Sequence, residues 1–139
     1  MSARVLVVAN RTAESPELLA ALQERTAHGP CEFTLLVPST PHGLAWAADM
    51  HAGGDEAEQH RKAFLDELRQ EGLNVDDAKV GDPDPLAAIQ DVCNFESYDE
   101  VIVSTLPLHI SKWLKIDLPH KVGHATGLPV THVVAHSAG

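Results

Sequence analysis

The chain predicts an α/β fold: a single-domain, doubly wound, five-stranded parallel sheet of order 3-2-1-4-5, with helices on both faces. Three observations carry that expectation. Apolar runs of strand length are continuous rather than alternating, which suits strands buried on both faces. Segments with helical spacing separate them, as crossovers between parallel strands require. The length, 139 residues, is that of one ordinary domain, so residues 1–139 are read as a single unit.

Arg4–Ala9, "RVLVVA", is the first strand: apolar, β-branched, and ending at Asn10. Ser15-Pro16-Glu17 then has the order of an N-cap, a first helical residue and an early acid. Leu18, Leu19 and Leu22 follow at helical spacing, and Gly29-Pro30 stops the helix. Phe33–Val37 is a second buried strand. The turn-rich stretch 38–54 is longer than an ordinary strand-to-helix connection, and its Trp46 and Met50 are read as covering the core edge.

A helix is expected from Asp55, with Phe64, Leu65 and Leu68 as its apolar stripe and Gly72 as its cap. Val75–Val80 is a weaker strand, polar enough for an edge. The turn at 81–85 leads into a helix with Leu86, Ile89, Val92 and Cys93 on one side. Asp84, before Pro85, is read as its N-cap and Asp82 as a turn former. Val101–Val103 is the fourth strand. His120–Thr126 has room for about two helical turns, and 127–134, "GLPVTHVV", closes the sheet.

Composition narrows the function. The formal net charge is −10, which repels nucleic acid and anionic membrane alike. Aromatics make up 4% of the chain, so Val, Leu, Ile and Ala must build the core. Cys31 and Cys93 lie far apart, without metal-type spacing, and are read as buried thiols. No apolar run approaches membrane-spanning length. The expectation is a cytoplasmic protein.

In such sheets ligands sit beyond the carboxyl ends of the strands, where the strand order reverses. Here the reversal falls between the first and fourth strands. The candidate ligand-binding residues are therefore Asn10, Arg11 and Thr12 after the first strand, Val37 at the end of the second, and Ser104 and Thr105 at the end of the fourth. Beyond them, residues 109–124 hold His109, Lys112, Lys115, His120, Lys121 and His124 against one acid, Asp117. Lys112 and Lys115 extend the candidate set as a positive island suited to a small anionic ligand. The competing reading makes Ile110, Trp113 and Leu114 an apolar helical stripe with the lysines on its wet face.

The order and spacing of "RVLVVAN", "VGDPDPLAAI", "DEVIVSTLP" and "GLPVTHVV" resemble the universal stress protein family over nearly the whole chain. The resemblance implies the doubly wound fold and a homodimer formed through the last strand. ATP-binding members carry Gly-x2-Gly-x9-Gly-(Ser/Thr) after the fourth strand. On this chain the early glycines fall on Ser104 and Pro107, and the late pair falls near Ile116–Leu118. Asn10 stands where the family usually has Asp. Proline at 107 lacks the N–H that a phosphate nest would use.

No cofactor is expected, with ATP as the alternative, and no metal. The His120/His124 spacing suits one helix face, but the sequence places no third ligand. No spacing nominates a catalytic nucleophile. The leading reading is a non-catalytic binding or signalling module that takes an anion or phosphate at the switch point. The alternatives are an ATP-binding member with weak hydrolase activity and a structural homodimer without a small ligand. The last strand, Pro129 to Val134, carries no formal charge with His132 neutral, so its edge invites pairing with a second copy. His132 would then lie in or near the interface, where acid would weaken the dimer.

Overall fold

A computed structural model describes residues 3–9, 16–38, 62, 65–81, 84–105 and 117–134. In chain order these give β1 (Ala3–Val8), α1 (Pro16–Ala27), β2 (Cys31–Pro38), helix α2 (65–70), β3 (Val75–Gly81), α3 (Pro85–Phe95), β4 (Glu100–Thr105), α4 (Leu118–Thr126) and β5 (Val130–Val134). The five strands form one sheet of order β3-β2-β1-β4-β5. Every pairing is parallel. Both the order and the architecture match the sequence expectation.

Strand alternation divides the core into two layers. Val5 and Val7 of β1 and Ala9 just after it join Phe33 and Leu35 of β2 beneath Leu18 and Leu22 of α1 and Leu65 and Leu68 of α2. Leu6 and Val8 face the other way. They pack with Leu36, Val101 and Val103 against Ala88 and Ile89 of α3 and Leu118 and Val122 of α4. Each fully buried Leu or Ile contributes about 1.5–3 kcal/mol relative to exposure. Both faces of the sheet are thus covered by helices, which is why the β1 run reads as unbroken apolar sequence. Cys31 is buried in the first layer. Cys93 packs partly buried against the second, where burial pushes its thiol pKa up.

The helix ends follow their capping residues. Asp84 accepts a hydrogen bond from the Leu86 amide at 3.1 Å, with Pro85 in the first turn, so the expected N-cap is present. At the end of α2, the Leu73 amide reaches the Leu68 carbonyl at 3.3 Å and the Gly72 amide reaches Arg69 at 3.1 Å. Gly72 has φ 84°, the left-handed position that glycine occupies without strain in this type of cap. The last helix begins two residues before the expected His120, at Leu118, because Pro119 suits a first turn. Asp117 precedes it at φ 56° and makes no side-chain cap bond.

The register of β3 slips between Phe33 and Thr34, leaving Asp76 as an extra residue. Its carboxylate accepts from the buried Thr34 hydroxyl at 2.8 Å. This polar β3 is an edge strand, as expected. On the same side of the sheet Arg4 ties the chain together. Its guanidinium meets Glu96 at 2.8 Å and the Ser97 carbonyl at 3.0 Å. Its amide donates to Asp99 at 2.8 Å. The guanidinium also lies 5.1 Å from the centre of the Tyr98 ring, a cation–π distance. Tyr98 in turn donates its hydroxyl to Glu96 at 3.0 Å. This network closes the loop between α3 and β4 onto the start of β1.

Candidate functional site

Sheet order reverses between β1 and β4, which pair directly from Val5↔Glu100 to Val8↔Val103. At the carboxyl end of this pair β1 runs out through Ala9, whose amide still bonds the Leu36 carbonyl at 3.1 Å. There β4 changes character. Val101, Ile102 and Val103 are apolar and buried, and Ser104 and Thr105, 0% and 1% exposed, bring two hydroxyls to the switch point. Val37, partly exposed, lies near the same end of β2. Asn10, Arg11, Thr12, Lys112 and Lys115 lie outside the described residues, as do Trp46, Met50 and Phe64.

Alternation along β4 separates the two hydroxyls. Val101 and Val103 belong to the α3/α4 layer and Ile102 to the α1 layer. Thr105 therefore faces α3 and α4, and Ser104 faces α1. Neither is a free donor. The Thr105 hydroxyl is 2.7 Å from Nε2 of His132 on β5, and Ser104 is also engaged. Among the described residues no buried side-chain nitrogen or oxygen lacks a partner.

His132 is exposed as a residue, but its Nε2 end is part-covered against Thr105. That burial holds its pKa below the ordinary imidazole value. The neutral ring is favoured, and either tautomer suits the contact: an Nε2 lone pair accepts from the hydroxyl, or an Nε2–H donates to it. Sequence reasoning placed His132 at the outer edge and missed this link. The contact is a diagonal one, since Val103 pairs with His132 and Thr105 with Val134. Only the register supplies it.

Of the expected positive island, the described part is α4 and its cap. Lys121 is exposed there, His120 and His124 share the outer face, and Leu118 and Val122 point inward. No group of three or more His, Cys, Asp or Glu among the described residues could hold a metal ion. No helix among them is long and apolar enough to cross a membrane.

Several solved structures with the same architecture are universal stress proteins. The one from Archaeoglobus fulgidus aligns with a TM-score of 0.64 at 14% identity, over 96% of this chain and 94% of that one. A universal stress protein family protein from Arabidopsis thaliana with AMP bound gives 0.62 at 12% identity, over 97% and 93%. A universal stress protein in complex with cAMP gives 0.57 at 14%, over 97% and 98%. No protein-family model and no curated protein matches the chain. At these identities the likeness is one of fold: the chain has the universal stress protein fold along nearly its full length.

Proposed function

We propose that this chain is a non-catalytic ligand-binding or signalling module of the universal stress type, taking an anionic or phosphate group at the switch point. The observation that carries this reading is that an otherwise apolar strand turns polar at its carboxyl end, where Ser104 and Thr105 set one buried hydroxyl on each face of the sheet. Hydroxyls there can exchange an internal partner for a phosphate oxygen, while the apolar strands behind them keep water out. Arg11, Lys112 and Lys115 supply the positive charge in this proposal. The AMP and cAMP held by two proteins of the same fold favour a nucleotide monophosphate as the organic form of that ligand. Replacement of the family's glycines by Ser104 and Pro107 makes the site a weak one, without resident ATP.

Thermal unfolding with phosphate, AMP, cAMP and ATP tests this. A ligand at a hundredfold excess over its Kd stabilises by about 2.7 kcal/mol. The rise is expected with phosphate or AMP and is lost in Ser104→Ala or Arg11→Ala. No rise with any of the four overturns the anion site. Stoichiometric ATP or ADP released by heating the purified protein would replace it with the ATP-binding alternative.

The same reading includes a cytoplasmic homodimer. β5 ends the sheet, and its Thr131 and His132 are exposed without a charged residue to block edge pairing. Two copies paired through this strand would satisfy both edges about a two-fold axis. Sedimentation at micromolar concentration should find a dimer, and Thr131→Lys should weaken it. A monomeric wild type refutes the assembly.

A further inference from the structure

Helix α4 carries a feature that the switch-point reading does not use. His120 and His124 stack with ring centroids 5.4 Å apart and planes within 10°. Asp117, three residues earlier, places a carboxylate oxygen 3.6 Å from Nδ1 of His120. The spacing 117, 120, 124 follows the i, i+3, i+7 rule for one helix face. That face is solvent-exposed, because Leu118 and Val122 anchor the opposite one in the core.

We propose that His120 and His124 form an exposed, bidentate imidazole site for a late first-row divalent ion: Cu²⁺, Ni²⁺ or Zn²⁺. Imidazole is a favoured ligand for these metals, and the usual affinity order puts Cu²⁺ above Ni²⁺ and Zn²⁺. The Asp117 carboxylate adds a negative charge beside the pair. A common ion needs each Nε2 at about 2.0–2.1 Å. The stacked rings lie nearly parallel, so binding one ion requires both exposed side chains to rotate. The helix itself is already fixed by its buried face and by Gly127, whose amide caps back to Gly123 at 2.9 Å. Among the described residues no third protein ligand joins the pair, and water fills the remaining positions.

Calorimetric titration of the tag-free protein with Ni²⁺, in a non-chelating buffer near neutral pH, tests the proposal. One ion per chain should bind in the tightest class. His120→Ala and His124→Ala should each weaken that class at least about tenfold, because losing one ring removes the chelate. Asp117→Asn should weaken it less, and His28→Ala should leave it unchanged. Binding should fade in acid, where protons compete with the metal for imidazole. In histidine-ring NMR, paramagnetic Ni²⁺ should broaden both rings together. Single variants that keep wild-type affinity would overturn the site. So would half the bound ions lost at unchanged affinity, or broadening confined to one ring.

Discussion

Tyr98 is the only tyrosine in the chain, so its ionisation can be followed directly. It is 7% exposed, and its phenol pKa is pushed up from the ordinary 10 to about 12. Burial is the main cause. The Thr34 hydroxyl opposes it, and the hydrogen bond to the Glu96 carboxylate adds to it, because that bond needs the phenolic proton. A displacement of about two units means that ionising Tyr98 costs the native state up to about 2.7 kcal/mol more than it costs the unfolded chain. The native state therefore holds the proton more tightly between pH 10 and 12. Stability falls as pH rises through that window and is unaffected by this group below pH 10. The perturbation is alkaline titration of the wild type, read by phenolate absorbance in the near ultraviolet, beside the same protein in urea. The native curve should lag the unfolded curve by about two units, or break upward only where circular dichroism shows unfolding. Tyr98→Phe should cost about 1 kcal/mol at neutral pH through the lost hydroxyl bond. Its stability should then fall less steeply than wild type above pH 10. Coincident native and urea curves, with native circular dichroism retained, would refute the reasoning.

Two further outcomes follow from the same geometry. Burial depresses the His132 pKa, so the unfolded chain binds the extra proton, and stability should drop as pH falls from about 6.5 through the lower native value. The difference in urea midpoint between wild type and His132→Gln across that range isolates this residue, and parallel profiles would sink the assignment. Gly72→Ala should destabilise by about 1–2 kcal/mol, since φ 84° is strained for alanine even though nothing lies within 4 Å of the added methyl. Gly123→Ala should instead stabilise by about 0.5–1 kcal/mol, because it sits inside α4 with only an ordinary 3.6 Å contact to Val130. Thermal melts showing the same sign for both glycines would contradict the backbone argument.

Where information is local, the chain states it openly. The run at Val5–Val8 is buried on both sheet faces, so it must be apolar at every position, and that is what makes a central parallel strand readable. The Asp84-Pro85 cap and the Gly72 stop act within a few residues, and both stand where the sequence puts them. Polar residues in 75–80 marked an edge, and β3 is one. The Leu118 start of α4 was less legible because Asp117 enters the helix from a left-handed turn without a side-chain cap bond, so the usual signal is missing.

The sequence by itself determined the strands, their alternation with helices and the place of the switch point, because burial on both faces and short-range capping leave periodic marks in neighbouring residues. Only the tertiary structure decided who meets whom across the sheet. Ser104 and Thr105 are adjacent in sequence yet serve opposite layers. Thr105 finds its partner 27 residues away in His132, and Arg4 finds Glu96 92 residues away. Those contacts depend on strand register and on the loop that brings α3 into β4. A slip of one residue would turn each side chain to the other face, and nothing in the local pattern around Thr105 or Arg4 records which register wins.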